Sequence, residues 1–330
     1  METIGNVWLW AGFGLFVIAA LALDMIVLKK EGAHRVGMHE ALVWSAVWVA
    51  VSLVFAGGLW WWLTGRFGAS IADARALEFL TGYLIEKSLA IDNIFVFLTI
   101  FTYFSVPSEF QKRALVIGIV AAIVLRAAMI FAGAWLIAEF DWVLYVFGVF
   151  LLLTGINMWW SAGKASTLDD SSILRVHRRV VRVSPDYDGE KLMTVQDGAR
   201  MATPLLLVVL LIGISDVVFA VDSIPAIFAI TTDPFIVLTS NIFAVLGLRA
   251  MYFLLAGMAE RFHLLPYGLA VVLVFVGGKM LAEDVFHISP LASLAVVMAI
   301  LIATVVLSML RPASGPDTAT VQPAEKRSTQ

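Results

Sequence analysis

Nine long apolar stretches divide the 330-residue sequence and limit what it can fold into. Each approaches the roughly 20 residues that an α-helix needs to cross the hydrocarbon core of a bilayer. Because the stretches are continuous rather than short and alternating, they favour helices over a β-barrel. The predicted spans are residues 6–28, 41–63, 77–104, 114–138, 142–160, 202–230, 235–258, 266–282 and 289–310. We therefore predict an all-α fold, a polytopic membrane helix bundle.

The composition agrees with a membrane protein and excludes several function classes. Hydrophobic residues make up 61% of the chain and charged residues 14%, against about 45–50% and about 25% in soluble domains. The net charge of −3 gives no sign of a nucleic-acid partner. The absence of cysteine removes disulfides, thiolate metal sites and cysteine nucleophiles. No phosphate-binding loop, zinc-protease helix or nucleophile elbow is present, so we expect neither an enzyme nor a bound cofactor.

The loop charges predict how the chain is oriented in the membrane. Sixteen lysines and arginines fall in one alternating set of loops and termini, whereas the other set holds only Arg66 and Arg75. The positive-inside rule then places the N-terminus outside and the C-terminus in the cytoplasm, which requires an odd number of spans. Residues 1–310 form the predicted transmembrane domain, residues 161–201 a cytoplasmic loop, and residues 311–330 a disordered cytoplasmic tail.

Three pairs of segments resemble one another in the same order along the chain. The third and sixth spans each hold two acids six residues apart, followed by Asn93 in one and Ser223 in the other. The fourth and seventh spans share a Leu-Arg-Ala sequence at Arg126 and Arg249. The fifth and eighth spans share a tyrosine-to-methionine spacing, 145–158 and 267–280. Paired segments lie three spans apart, so residues 77–160 and 202–282 are predicted to be inverted repeats, a common plan in secondary transporters. Chance similarity of apolar segments is the alternative.

Charged and polar side chains inside the predicted spans are the candidate functional residues. A charge at the centre of a membrane helix costs about 2.5–3.5 kcal/mol, so it usually faces a bundle interior or a cavity. Two interpretations stay open, ion pairs that hold helices together and a pathway for ions. The candidate metal ligands are Glu86, Asp92, Asn93, Asp216, Asp222, Ser223 and Asn241, with Lys87, Arg126 and Arg249 balancing charge and Asp24 as a possible accessory ligand. Such oxygen ligands suit Mg²⁺, Ca²⁺ or Mn²⁺, and a proton path through the same acids fits nearly as well.

The spacing of the acids limits how they could share one ion. On a regular helix, six residues turn the chain by about 600°, so Glu86 and Asp92 point to different faces, as do Asp216 and Asp222. Either each helix is broken between its two acids, or the acids serve two sites. Gly82, Gly213 and Pro225 weaken the two helices near these motifs.

Three long motifs in this sequence resemble the TerC family of membrane proteins, and its Alx branch most closely. They are GYLIEKSLAIDN at 82–93, SDVVFAVDSIPAIFA at 215–229 and TSNIFAVLGLR at 239–249. The resemblance implies a bacterial inner-membrane protein of metal homeostasis, chiefly manganese export, with a link to tellurium resistance. It also implies a relationship to LysE-type exporters, which are built on inverted three-helix repeats. Relatives usually carry a glutamate where this chain has Gly213, so the site implied by the resemblance lacks one carboxylate.

The leading expectation is an exporter that carries Mn²⁺, or another hard divalent cation, out of the cytoplasm by proton antiport. The expected partners are therefore the cation and the lipid bilayer, while the sequence identifies no protein partner. One alternative is a membrane scaffold that assists metal loading or insertion of other proteins. A second alternative is a LysE-like exporter of a small organic solute.

Overall fold

The protein is a bundle of long helices with one small β-hairpin. A computed structural model describes residues 3–31, 37–140, 142–161, 183–196, 199–256, 264–282 and 288–310. Within those ranges the helices are α1 (Val7–Glu31), α2 (Met38–Phe67), α3 (Ala69–Tyr103), α4 (Ser108–Glu139), α5 (Val143–Ser161), α6 (Pro204–Phe228), α7 (Pro234–Leu246), α8 (Leu248–Ala256), α9 (Leu265–Ala282) and α10 (Pro290–Leu310). The hairpin consists of β1 (Met193–Gln196) and β2 (Ala199–Ala202).

The prediction of an all-α, multi-pass membrane bundle is confirmed. Among the described residues, six helices are long and apolar enough to cross a bilayer: α2, α4, α5, α6, α9 and α10. Helices α7 and α8 together pass the same test as one span bent by 43°. Each of the nine predicted stretches coincides with a helix or with this bent pair. Helix α1 has a shorter apolar part, Val7–Leu23, and α3 is interrupted by charges, so the count of nine crossings stays a prediction.

The ends of the helices differ from the predicted spans where polar residues continue a helix. Helix α3 starts at Ala69, eight residues before the predicted boundary at 77. Its first turns carry Arg75 and Glu78, whose side chains form an i,i+3 ion pair at 2.8 Å. Such pairs stabilise a helical turn modestly, so the helix continues through this charged segment.

Asp233 fixes the beginning of α7 and connects it to the start of the chain. Its carboxylate accepts a hydrogen bond from the Phe235 amide at 2.9 Å, as expected of an N-cap before Pro234. The same buried carboxylate accepts from the Thr3 hydroxyl and the Ile4 amide, both at 2.8 Å. The segment before α1 is therefore held against the start of α7 by two hydrogen bonds.

The packing of the bundle centres on α3, which contacts α2, α6, α7 and α10. Helix α4 packs on α6 and α7, and α5 packs along α9. The helices that the sequence repeat pairs are thus all in contact: α3 with α6, α4 with α7, and α5 with α9. This arrangement brings the polar residues of both predicted repeats to one interface.

Glycines set the close approach of α5 and α9. A Cβ atom added at Gly155 would lie 2.8 Å from the Ala270 carbonyl oxygen, and one at Gly277 would lie 2.8 Å from the Gly148 carbonyl oxygen. Both distances are too short for a real contact, so the two backbones approach each other through positions that lack a side chain. Small residues serve this purpose widely between membrane helices.

The described part of the predicted loop 161–201 packs on the ends of α3 and α4. The Tyr187 hydroxyl donates a hydrogen bond to the Phe104 carbonyl at 2.8 Å, and burial raises the pKa of this phenol. Arg113 pairs with Glu190 at 3.2 Å. The antiparallel hairpin, in which Met193 lies opposite Ala202, was not predicted. The predicted tail at 311–330 and residues 162–182 of the loop lie outside the described residues.

Candidate functional site

The buried guanidinium of Arg126 joins four helices at the centre of the bundle. Its Nε and Nη2 atoms donate to the two carboxylate oxygens of Asp216 at 2.9 and 2.7 Å. Its Nη1 atom donates to Glu86 and, at 3.3 Å, to the Asn241 side-chain oxygen. Arg126 is fully buried on α4, with partners on α3, α6 and α7. A buried arginine requires such partners, because an unpaired charge there would be strongly destabilising.

This buried cluster holds more negative than positive formal charge. One guanidinium faces two carboxylates, which gives −1 if both acids are ionised. Within the described part of the chain, the second carboxylate oxygen of Glu86 and the Asn241 amide nitrogen have no hydrogen-bond partner. Buried polar atoms are nearly always satisfied by protein, water or an ion. The cluster therefore has the capacity to accept a proton or a cation at Glu86.

A cavity of about 240 Å³ lies beside this cluster and is lined by five helices. At a share of about 30 Å³ per water molecule, it has room for several waters or a partly hydrated ion. Besides Glu86, two of its lining residues carry buried oxygen atoms without a partner among the described residues, Asn93 Oδ1 and Ser223 Oγ. The residues that line the cavity are Glu86, Leu89, Asn93, Arg126, Thr154, Asn157, Met158, Phe219, Asp222, Ser223 and Leu273.

The structure brings together four of the predicted ligands at this cavity: Glu86, Asn93, Asp222 and Ser223. Asp216 and Asn241 do not line the cavity and reach it only through Arg126. Asp92 lies on α3 and Asp24 on α1, but their side chains are outside the described part of the structure. Among the described side chains, no three from histidine, cysteine, aspartate and glutamate are grouped so that they could hold a metal ion.

The three predicted charge-balancing residues lie in different places. Arg126 is at the cavity, as described above. Lys87 instead donates from Nζ to the Ala244 carbonyl at 3.2 Å, in the last turn of α7 before its C-cap Gly247. A cation is favourable at the C-terminus of a helix, which has partial negative charge. Arg249 lies on α8, half-buried, and does not line the cavity.

Helices α3 and α6 continue without a break through their acidic motifs, and Pro225 is accommodated inside α6. The bend lies instead between α7 and α8, at Gly247. A broken helix is thus excluded as the way in which both acids of one motif meet. On α6 the two acids occupy different surroundings: Asp216 is paired with Arg126, and Asp222 lines the cavity. This matches the other alternative, in which the acids of one motif serve two sites.

Sequence reasoning missed the contribution of α5 to the site. Thr154 and Asn157, three residues apart and therefore on one helix face, both line the cavity. The signal was present, since an amide side chain in the middle of an apolar span is expensive in lipid unless it faces a polar region.

Comparison with known proteins identifies the family. A family model described as integral membrane protein TerC family matches residues 71–314, which include the whole site. The chain belongs to the TerC family. No solved structure matches it.

Curated relatives resemble this TerC family member along most of its length. A protein of Escherichia coli strain K12 is 54% identical over 308 residues, covering 93% of this chain and 96% of the relative. It bears the name "Putative membrane-bound redox modulator Alx". An uncharacterized membrane protein of Myxococcus xanthus is 49% identical, covering 96% and 97% of the two chains. A third relative, from Rickettsia felis, is 36% identical over 302 residues, covering 92% and 97%. The Alx relatives confirm the resemblance to that branch.

Proposed function

We propose that this TerC family protein exports a hard divalent cation, Mn²⁺ in the first place, from the bacterial cytoplasm through the 240 Å³ cavity. One observation carries the proposal. Glu86, Asn93 and Ser223 each have a buried oxygen without a hydrogen-bond partner among the described residues, and all three line the same cavity as Asp222. Carboxylate, amide and hydroxyl oxygens are the ligand class of Mg²⁺, Ca²⁺ and Mn²⁺. Mn²⁺ is the member of this class that the family resemblance implies.

The charges of the buried cluster suit a transport cycle in which metal ions and protons bind in turn to the same acids. With the site empty, the single positive charge of Arg126 offsets one of the two negative charges of Glu86 and Asp216. Binding of a divalent cation between Glu86 and Asp222 requires both carboxylates to be ionised, so each metal ion that enters displaces bound protons. Protonation of the same acids from the outside then releases the metal, which is the chemistry of proton antiport. Asp92, whose side chain is outside the described part, is expected to serve a second site along the pathway, because α3 continues without a break between Glu86 and Asp92.

The membrane arrangement proposed with this function is nine crossings of the inner membrane, with the N-terminus outside and the C-terminus in the cytoplasm. The contacts between α3 and α6, α4 and α7, and α5 and α9 support inverted repeats related by a two-fold axis. The cavity lies between five helices of the bundle and beside the fully buried Arg126, which supports a transport site rather than a surface site.

The name of the Alx relatives points to redox modulation, and this chain limits what form that could take. It contains no cysteine. Thiol–disulfide exchange by its own side chains is therefore not available to it.

The test is efflux of ⁵⁴Mn²⁺ from loaded liposomes that contain the purified protein, with a pH-sensitive dye trapped inside. We expect Glu86→Gln and Asp222→Asn each to reduce efflux at least about tenfold, since each removes a charged ligand. The matched control is Asp73→Asn, because Asp73 is an exposed acid on the same helix as Glu86 that accepts a hydrogen bond from Trp60. It should transport at nearly the wild-type rate.

Three results separate this proposal from its alternatives. Efflux by Glu86→Gln and Asp222→Asn at the wild-type rate would show that the cavity is not the site. Counterflow of lysine in place of manganese would favour a LysE-like exporter. Absence of any flux from pure protein, with stable partners retained in detergent, would favour a membrane scaffold.

A further inference from the structure

The oxygen ligands of the cavity do not by themselves select one metal. Glu86 and Asp222 supply carboxylates, and Asn93 and Ser223 supply amide and hydroxyl oxygens. Mg²⁺, Ca²⁺ and Mn²⁺ all accept such ligands. An exporter that relied on these oxygens alone would therefore carry Mg²⁺ and Ca²⁺ together with Mn²⁺.

Met158, on α5, differs in chemistry from the other residues that line the cavity. It alone carries sulfur among the described residues of the lining. Thr154 precedes it by four residues, so the two side chains lie on one face of α5, and both line the cavity. Glu86 lies on α3 and Asp222 on α6. The thioether and the two carboxylates therefore border the same space from three helices.

Met158 also packs against an apolar cluster at the edge of the cavity. The cluster includes Leu151 and Leu273, and Leu273 lines the cavity as well. A leucine at position 158 would fill this edge of the cluster with a similar volume. The feature that a leucine would lack is the polarizable sulfur, which a methionine can present to a bound ion.

A thioether changes the preference of a site that is otherwise made of oxygen ligands. Mg²⁺ requires near-ideal octahedral oxygen coordination, and Ca²⁺ also takes oxygen ligands. Soft sulfur ligands favour transition metals instead. Among Mg²⁺, Ca²⁺ and Mn²⁺, only Mn²⁺ is a transition metal, so a sulfur beside the carboxylates shifts the preference towards it. A softer divalent ion such as Cd²⁺ gains more from the same sulfur.

We propose that Met158 is a specificity-determining ligand, whose thioether makes the cavity prefer divalent transition metals to Mg²⁺ and Ca²⁺. The inference rests on the proposed function and names the residue that selects the cargo. The carboxylates of Glu86 and Asp222 supply most of the affinity for any divalent cation, whereas Met158 supplies the difference between one cation and another. Removal of the sulfur should therefore change the selectivity more than the maximal rate of transport.

The experiment is ⁵⁴Mn²⁺ efflux from loaded liposomes that contain the purified protein, with Mg²⁺ or Cd²⁺ added to the internal solution as a competitor. For Met158→Leu we expect the inhibition constant of Cd²⁺ to rise about tenfold, while that of Mg²⁺ stays unchanged. The half-saturating Mn²⁺ concentration should rise as well, by a smaller factor.

The matched control is Met280→Leu. Met280 has the equivalent position in the second predicted repeat, since Tyr145–Met158 and Tyr267–Met280 share one spacing. It lines a different cavity, which neither Glu86 nor Asp222 borders. This variant should leave both inhibition constants at their wild-type values.

A second variant, Met158→Cys, restores a sulfur and gives a direct measure of binding. The chain contains no cysteine, so the introduced thiol is its only one. Inhibition by Cd²⁺ should be at least as strong as in the wild type, because a thiolate is also a soft ligand. Mn²⁺ and Cd²⁺ should slow labelling by a thiol reagent at lower concentrations than Mg²⁺ does. In Met280→Cys, metal ions should not change the rate of labelling.

The outcomes distinguish the inference from the proposed function. If Met158→Leu exports manganese with wild-type inhibition constants for Cd²⁺ and Mg²⁺, the inference is overturned while the proposed function stands. If Met158→Leu does not fold, the labelling of Met158→Cys decides. Equal protection by Mn²⁺, Cd²⁺ and Mg²⁺ then overturns the inference, and stronger protection by Mn²⁺ and Cd²⁺ supports it. If the wild type exports no manganese, the proposed function itself fails and the inference falls with it.

Discussion

Replacing Arg126 by methionine tests whether the buried ion cluster holds the bundle together. The substitution keeps most of the side-chain volume and removes the cation between Glu86 and Asp216. Arg126 and both acids have side chains that are at most 2% exposed, so solvent does not screen the change. Removing one partner of a buried pair typically costs about 3–5 kcal/mol, because the remaining charge is left uncompensated. We expect a loss of stability in this range or above it, since two carboxylates lose the same partner.

The measurement is unfolding in mixed micelles with increasing SDS, followed by the fluorescence of the eleven tryptophans. The control is Arg113→Met, because Arg113 and Glu190 also form an ion pair but are 42% and 38% exposed. After allowance for solvent screening, that pair should contribute at most about 1 kcal/mol. The triple variant Arg126→Met, Glu86→Met, Asp216→Leu should recover most of the stability. Well-packed apolar side chains often stabilise a protein as much as the buried ion pair that they replace. Two results would refute the reasoning: an Arg126→Met variant as stable as Arg113→Met, or a triple variant less stable than Arg126→Met.

Two further predictions concern a helix contact and an exposed carboxylate. Gly277→Ala should destabilise the protein by about 1–3 kcal/mol in the same SDS assay, because its Cβ would meet the Gly148 carbonyl. The control is Gly278→Ala, whose Cβ would have no atom within 4 Å among the described residues, and which should be neutral or stabilising. A hydrogen bond from Thr194 is the largest influence that lowers the pKa of Asp188. The contribution of this carboxylate to stability is therefore present above its unfolded pKa, about 4, and is lost as the pH falls through the lowered folded value. Carboxyl NMR titration should show this low pKa, and Thr194→Val should raise it towards the ordinary value; equal pKa values in both proteins would contradict the assignment.

The positions of the helices could be predicted from the sequence because bilayer thickness imposes a length on every apolar run. The break at Gly247 could not, since a single glycine in an apolar span is compatible with a straight helix or a bent one. The start of α3 was missed for a related reason. Hydropathy marks where the membrane ends, and α3 continues beyond that point through Asp73 and Arg75.

The sequence predicted which types of residue form the site, but not which of their side chains pair with each other. Charges within apolar spans identified Glu86, Arg126 and Asp222 as candidates without any knowledge of their neighbours. Which acid pairs with Arg126 depends on the packing of four helices, and Asp216 rather than Asp222 forms the bidentate contact. Sequence spacing within one helix carries no information about such a choice. Asn157 was not among the predicted ligands because it carries no charge, although an amide in lipid requires a polar neighbour as well.

The hydrogen bond between Thr3 and Asp233 can form only late in the synthesis of the chain. Its two ends are 230 residues apart, and ribosomes add roughly 5–20 residues per second. About 12–46 s therefore pass between translation of the first partner and translation of the second. Through that interval α1 lacks its contact with α7, so closing of the bundle at this edge belongs to the second half of translation.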